Sequence, residues 1–255
     1  MENKERMYHI GLSMEDIDYA KYAIITGDPG RISKMARMFN IYKPLAVNRE
    51  YTSYLGEYGN NKILMISTGI GGPSTAICVE ELYLLGIKNI IRVGTCGGMQ
   101  ETIESGDLII ATSAIRQEGT SKEYVPLEFP AVANIDMINA LRNSAKSLGY
   151  KYHVGVVQSK DSFYGQHRPN DMPISYELKD KWNAWIKAGC LASEMETAAL
   201  YIVSQIRGIK AASILSAIWN QEKDNQSKNL ETNKVIEVAV DAIKSLINEE
   251  NKNER

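Results

Sequence analysis

The sequence predicts an α/β fold, in which helices cover a central sheet. Three observations lead to this prediction: short apolar runs alternate with helical patterns, those runs are too uniformly apolar for strands with one solvated face, and no linker rich in proline, glycine or serine divides the chain. Buried strands separated by amphipathic helices are typical of layered α/β proteins, and 255 residues fit one such domain. A single domain is therefore expected over residues 1–255, with flexible tails at 1–7 and 249–255.

Strands are predicted where apolar residues follow one another with little interruption. Six segments meet this condition, at Tyr22–Thr26, 62–68, 89–95, 108–113, 154–158 and 212–218. Each has the length of an ordinary strand.

Helices are predicted where apolar residues recur at helical spacing. Five segments show this pattern, at 73–85, 135–148, 175–188, 194–207 and 231–248. The first has Pro73 near its first turn, where no N–H is needed. The second carries an apolar stripe that ends at Leu148, and Gly149 follows as the expected stop. The polar segments 221–229 and 248–255 are expected to be a surface loop and a frayed chain end.

The composition excludes several classes of protein. The chain is 44% apolar and 24% charged with a formal net charge of −2, so it offers no broad attraction for nucleic acid or anionic membranes. No apolar run approaches the ~20 residues of a membrane span and the N-terminus is charged, so we expect a cytoplasmic protein. The three cysteines form no CxxC pair and the three histidines are scattered, which indicates neither a disulfide framework nor a zinc site.

Arginines at two strand ends favour phosphate as a ligand. The first strand runs into the segment 26–31, a turn that exposes backbone N–H groups at a helix start and adds the guanidinium of Arg31. Taken alone, this segment is also an ordinary strand-to-helix turn. A second arginine, Arg92, lies in an apolar run that closes with Thr95, at the end of the strand where α/β sheets bind ligands.

A glycine cluster at 69–74 approaches a dinucleotide-binding fingerprint without completing it. The pattern G-x-G-x-x-G fails at its last position, where Ser74 stands, so we reject NAD as a cofactor. Cys96 has no histidine near it in the sequence, and we interpret it as a packed thiol rather than a nucleophile.

Carboxylates and an aromatic loop complete the candidate site. Glu194 and Glu196 open the predicted helix 194–207. A carboxylate in the first turn stabilises the helix dipole, which suits Glu194, whereas Glu196 is available to accept hydrogen bonds from a sugar diol. The segment 163–168 brings aromatic rings, an amide and a guanidinium into one loop, and a pyrimidine base is held by stacking and hydrogen bonds of this kind.

The chain resembles the uridine phosphorylases, within the wider nucleoside phosphorylase family, over nearly its whole length. The segments that carry the resemblance are residues 9–12, 27–31, 48–52, 67–75, 92–95, 126–132 and 194–196. The resemblance implies a single-domain, three-layer α/β/α fold with a central mixed sheet. It also implies a pentosyltransferase of pyrimidine salvage that converts uridine and inorganic phosphate reversibly to uracil and ribose 1-phosphate. The assembly it implies is a homo-oligomer built from dimers, a hexamer, which requires no cofactor beyond the phosphate co-substrate.

The resemblance also assigns roles to individual positions. The phosphate ligands are Gly27, Arg31, Arg92 and Thr95, together with Arg49 from the neighbouring subunit. The ribose contacts are Met195 and Glu196, with a neighbouring subunit's His9 at the sugar 5′-hydroxyl. Uracil is held by Phe163, Gln166 and Arg168, and a potassium site between subunits is matched by Glu50, Ile70 and Ser74. The catalytic residues implied are Arg92, Arg168 and Glu196.

Two departures from the family pattern bear on base affinity and selectivity. The uracil loop is one residue shorter before Gly165, and Gln221 stands where the family often has an arginine near the uracil carbonyl. Purine-specific relatives place an aspartate on the last strand, and residues 216–220 contain none, which favours a pyrimidine. The alternatives are a purine nucleoside phosphorylase, a nucleosidase that uses water, and a non-catalytic nucleoside-binding protein on the same fold.

Overall fold

The computed structural model describes residues 6–223 and 229–253, which contain ten strands and seven α-helices. The strands are β1 (Tyr22–Thr26), β2 (Tyr42–Asn48), β3 (Tyr51–Tyr58), β4 (Asn61–Ser67), β5 (Asn89–Gly98), β6 (Leu108–Gln117), β7 (Ala131–Val132), β8 (Tyr152–Lys160), β9 (Ala192–Glu194) and β10 (Lys210–Asn220). The helices are α1 (Ile32–Ala36), α2 (Gly72–Leu84), α3 (Ile135–Ser147), α4 (Phe163–His167), α5 (Ser175–Lys187), α6 (Thr197–Ile206) and α7 (Asn233–Asn253).

The strands form one mixed sheet, as the resemblance implies. Its order is β10-β6-β8-β9-β5-β1-β4-β3-β2, with β7 paired to β6. Strands β4, β1, β5 and β10 run parallel, whereas β3 is antiparallel to β4 and β6 is antiparallel to β10. Because β10 pairs with β5 as well as with β6, this end of the sheet closes on itself.

Helices cover both faces of the sheet, which confirms the three-layer prediction. On β1, Ile25 packs in a core cluster with residues of α2 and α6, and Ile24 packs in the opposite cluster with residues of α1, α3 and α7. Successive side chains of a strand point to opposite faces. A strand between two helical layers must therefore be apolar at every position, and all five residues of β1 are buried.

Local side chains fix the helix ends, and Gly149 and Pro73 act as the sequence predicts. The side chain of Asn134 caps α3 by accepting hydrogen bonds from the backbone N–H groups of Asp136 and Met137. Gly149 follows α3 with a φ of 72°, the left-handed conformation that ends many helices. Pro73 lies in the first turn of α2. The observed bounds of α2, α3 and α5 agree with the predicted ones to within one residue.

The antiparallel edge formed by β2 and β3 was missed because its strands are not continuous apolar runs. Most of β2 is exposed, and β3 alternates between buried and half-buried positions along its first half. These patterns are typical of strands near a sheet edge with one face solvated. The three-residue strand β9 is too short to leave a periodic signal.

The strands β5, β6, β8 and β10 extend two to four residues beyond their predicted bounds. Three further predicted elements differ from the structure. The helix predicted from residue 194 begins at Thr197, because Glu194 ends the strand β9 and Glu196 occupies the N-cap position. The predicted loop at 163–168 contains the short helix α4. The last helix continues to Asn253, five residues beyond its predicted end.

Residues 1–5, 224–228 and 254–255 of the predicted tails and polar loop lie outside the described residues. Within the described part of the chain, no helix is both long enough and apolar enough to cross a bilayer.

Candidate active site

A cavity of about 830 Å³ lies where several strands end. Strands β1 and β4 end beside it, and the C-terminal parts of β5 and β10 form another side. These four parallel strands bring their carboxyl ends to one edge of the sheet, where α/β proteins bind ligands. A Cβ at Gly27 would lie 3.1 Å from the carbonyl oxygen of Gly69, so glycine allows the ends of β1 and β4 to approach closely. The predicted site residues in the cavity wall are Gly27, Arg31, Ile70, Arg92, Thr95, Phe163, Arg168, Met195 and Glu196.

Arg92 is a buried guanidinium with unused hydrogen-bonding capacity. Its side chain on β5 is 3% exposed, and its Nη2 donates to Oε2 of Glu196 and lies 3.4 Å from Oε2 of Glu194. Within the described residues, its Nε and Nη1 have no hydrogen-bond partner. A buried donor without a partner costs about 1–3 kcal/mol. Because the guanidinium belongs to a residue of the cavity wall, its positive charge suits an oxyanion such as phosphate.

Arg31 adds a second positive charge to the same cavity. The turn before it is stabilised by Asp28, whose side chain accepts the N–H of Gly30 at 2.8 Å. Nη1 of Arg31 donates to Oγ1 of Thr26 at 3.4 Å, which directs the guanidinium along the end of β1. Burial lowers the pKa of Arg31, Asp28 opposes this effect, and the positive charge of Arg92 adds to it. Because arginine stays charged at neutral pH, an anion bound here would relieve that repulsion.

Two buried carboxylates lie beside Arg92 and have different roles. Glu194 accepts the backbone N–H groups of Glu196 and Thr197 at 2.9–3.0 Å and so caps α6, which agrees with the predicted role at a helix start. Glu196 accepts the N–H of Gly71 at 2.6 Å through Oε1 and binds Arg92 through Oε2. Burial raises the pKa of Glu196, and the positive charge of Arg92 opposes this. The Glu196 carboxylate therefore lines the cavity next to the arginine pair.

The other end of the cavity is aromatic. Helix α4 supplies Phe163 and His167, whose ring centroids are 4.1 Å apart, and His167 lies 5.0 Å from the ring of Trp219 on β10. Arg168 follows α4, with its guanidinium carbon 6.0 Å from the ring of Tyr164. Flat aromatic faces beside a cation suit a planar heterocycle whose carbonyl oxygens carry negative charge.

Gln166 lines a second cavity of about 490 Å³ and is not a wall residue of the first. Its Oε1 accepts a hydrogen bond from Oγ of Ser193 at 2.8 Å, and its Nε2 donates to Oε1 of Gln221 at 2.9 Å. Lys160 lies in the wall of both cavities. A direct contact of Gln166 with a base therefore stays a prediction.

His9 and Arg49 lie outside the cavity wall of their own chain. Nδ1 of His9 is 2.7 Å from Oε1 of Glu81, and the guanidinium carbon of Arg49 lies 5.5 Å from the centroid of the exposed Tyr8 ring. Both residues were predicted to serve a neighbouring subunit.

The predicted cation ligands do lie together, next to the cavity. A Cβ on Gly69 would come within 2.9 Å of Cγ of Glu50 and 3.7 Å of Oγ of Ser74. Oγ of Ser74 is 3.4 Å from the carbonyl oxygen of Ile70, whose side chain is exposed.

Sequence reasoning missed several residues of the cavity wall. Among them are Lys160, Tyr164, His167, Ser193 and Trp219. Lys160 ends a strand whose preceding residues are buried, and a lysine at such a position is a signal that was available in the sequence. Ser193 and Trp219 have no such signal in the sequence. Their strands reach the cavity only because the sheet closes on itself, and this depends on pairing between distant segments.

A comparison with protein families identifies the class to which this fold and site belong. A family model described as the phosphorylase superfamily matches residues 21–248. The chain belongs to this superfamily.

Full-length relatives give a narrower similarity. The chain is 47% identical to a uridine phosphorylase of Treponema pallidum over 247 residues, which cover 95% of each protein. It is 37% identical to a uridine phosphorylase of Escherichia coli over 253 residues, which cover 96% of this chain and all of the relative. A guanosine phosphorylase of Halorubrum lacusprofundi is 38% identical over 215 residues, or 84% of this chain and 85% of the relative.

Proposed function

We propose that this protein is a uridine phosphorylase, which converts uridine and inorganic phosphate reversibly to uracil and ribose 1-phosphate. The observation that carries the proposal is the buried Arg92, which lines a cavity together with Arg31, Glu196 and an aromatic end. Among the described residues, two of its guanidinium nitrogens have no hydrogen-bond partner. The similarity to full-length uridine phosphorylases supports uridine as the nucleoside.

The reaction requires an anionic nucleophile beneath C1′ of the ribose and stabilisation of a departing base. Arg31 and Arg92 would hold phosphate, whose negative charge stabilises the oxocarbenium character of the sugar in the transition state. Glu196 would accept hydrogen bonds from the ribose hydroxyls, and Met195 would pack against the sugar. Phe163 and Arg168 would hold the base, and Arg168 would stabilise the charge on its carbonyl oxygens. Positioning and electrostatics supply the catalysis, and no covalent intermediate with the protein is needed.

The active unit in this proposal is a dimer, in which each site takes His9 and Arg49 from the neighbour, and the dimers assemble into a hexamer. The position of both residues outside the cavity of their own chain supports this arrangement. Glu50, Ser74 and the carbonyl group of Ile70 offer oxygen atoms, the donors that suit a potassium ion, at the same edge. The neighbouring copy would complete the coordination.

A cytoplasmic location is part of the same proposal. Cys78, Cys96 and Cys190 are buried and unpaired, which fits a reducing compartment. Burial raises the pKa of the Cys96 thiol, so this thiol in the cavity wall stays protonated and unreactive.

We expect uridine cleavage to depend on phosphate. Purified protein with uridine should release uracil and ribose 1-phosphate when phosphate is present and almost no uracil in phosphate-free buffer. Chromatographic product analysis with uridine, deoxyuridine, thymidine, inosine and guanosine measures this. Equal uracil release without phosphate would indicate a nucleosidase. Preferential cleavage of guanosine would instead indicate a purine nucleoside phosphorylase. Guanosine is included because the chain is similar to a guanosine phosphorylase.

Replacement of Glu196 by glutamine should impair ribonucleosides more than 2′-deoxyribonucleosides. The carboxylate would accept a hydrogen bond from the 2′-hydroxyl, and glutamine replaces one acceptor oxygen by a donor. We expect kcat/KM to fall about tenfold further for uridine than for deoxyuridine, which corresponds to one hydrogen bond. Glu194→Gln is the matched control, because Glu194 holds the start of α6 and should affect both substrates equally. Equal losses for Glu196→Gln would remove Glu196 from ribose recognition.

A further inference from the structure

Lys160 is a buried ammonium group in the wall of the candidate active site. It is the last residue of β8 and is 6% exposed. Gln158 of β8 pairs with Ser193 of β9, so Lys160, two residues further along, projects from the same face of the sheet as Ser193. Nζ of Lys160 donates to Oγ of Ser193 at 2.6 Å. The sheet therefore fixes the position of this ammonium group at the cavity.

Nearby carboxylates favour the charged form of Lys160, and its ammonium group has unused N–H donors. Burial lowers the pKa of Lys160 to about 8, while the carboxylates of Glu194 and Glu196 oppose this effect. Those two carboxylates already contact Arg92. An ammonium carries three N–H donors. Within the described residues, the ammonium of Lys160 makes one hydrogen bond, to Ser193. Donors of Lys160 therefore remain for a ligand in the cavity.

A hydrogen-bond chain connects Lys160 to the base loop. Lys160 donates to Ser193, the hydroxyl of Ser193 donates to Oε1 of Gln166, and Nε2 of Gln166 donates to Oε1 of Gln221. The chain occupies the amide oxygen of Gln166 and fixes the orientation of its side chain. Because Gln166 lines the second cavity, Lys160 is better placed than Gln166 to act on a group in the first cavity.

We propose that Lys160 is a further catalytic residue, whose ammonium group stabilises the negative charge that develops on the departing pyrimidine. The inference rests on the proposed function. The C1′–N1 bond breaks, its electron pair passes to the base and spreads onto the carbonyl oxygens, and a phosphate oxygen forms the new bond to C1′. Lys160 keeps its proton and donates a charge-assisted hydrogen bond. Phe163 and Arg168 line the same cavity, and Phe163 lies only three residues further along the chain.

The dependence on the leaving group tests this role. Lys160→Met removes the charge, and Lys160→Gln also removes it while keeping a donor for Ser193. Loss of a transition-state donor lowers kcat by about 10²-fold or more. We expect a loss of this size with uridine for both variants. With 5-fluorouridine, whose fluorine stabilises the base anion without help from the protein, the loss should be about tenfold smaller than the loss with uridine. The KM for phosphate should change little, because the ammonium acts on the base.

Lys179→Met is the matched control, since Lys179 lines the second cavity and is exposed. Its kcat should remain that of the wild type with both nucleosides. Equal losses with uridine and 5-fluorouridine in the Lys160 variants would show a structural role and overturn the inference. Full activity of Lys160→Gln would overturn it as well, and this variant decides the matter if Lys160→Met does not fold. Failure of the wild-type protein to cleave uridine with phosphate would instead reject the proposed function.

Discussion

Replacing Arg92 by methionine is expected to destabilise the fold by about 3–5 kcal/mol, because it leaves two buried carboxylates without their cation. Glu194 and Glu196 are both nearly inaccessible to solvent, and both contact the guanidinium. Burial already raises the pKa of Glu196 while Arg92 lowers it, so removal of Arg92 favours the protonated acid in the folded state. A raised pKa gives stability that is lost as the pH rises, so the deficit should grow as the pH rises above the ordinary pKa of a glutamate side chain. Urea unfolding at several pH values measures it.

A second substitution separates the charge effect from a packing effect. The double variant Arg92→Met/Glu196→Gln lacks one of the two buried carboxylates that lose their cation. It should therefore be more stable than Arg92→Met alone. Arg207→Met is the matched control, because Arg207 pairs with Glu80 on the surface and its loss should leave the unfolding midpoint nearly unchanged. An Arg92→Met protein as stable as Arg207→Met would refute the electrostatic account of this buried cluster.

Two inactive variants should restore activity when their subunits are mixed. In the proposed dimer, Arg49→Ala damages the partner's site, whereas Arg168→Ala damages the site of its own chain. A mixed dimer then contains one doubly damaged site and one intact site. With random and equal exchange, about half of the dimers are mixed and half of their sites are intact, so about a quarter of wild-type activity should return. Unfolding, mixing and refolding of differently tagged subunits allows activity and exchange to be measured together.

The control mixture pairs Arg31→Ala with Arg168→Ala. Both side chains line the cavity of their own chain, so every site in every dimer carries a substitution and no activity should return. If the Arg49→Ala mixture exchanges subunits but recovers no more than this control, Arg49 does not serve a neighbouring site.

Much of the cavity was predictable because its signals are local. A strand buried on both faces is apolar throughout, so β1, β5 and β10 were visible as runs, and residues at their ends could be assigned to one edge of a sheet. Arg31 and Arg92 follow from this reasoning. The turn at 26–31, the proline in the first turn of α2 and the cap of α3 depend on residues within a few positions of each other, which the sequence records directly.

The layered class of fold and the residues at the strand ends therefore follow from local patterns in the sequence. The tertiary structure alone decided which of these residues meet. The contact of Arg92 with Glu196 joins positions 104 apart, and the chain from Lys160 through Ser193 to Gln166 depends on the short strand β9 inserted between β5 and β8. The periodicity of apolar residues predicts the secondary structure of one segment at a time. These contacts arise where distant segments pair, and such pairing leaves no pattern within either segment.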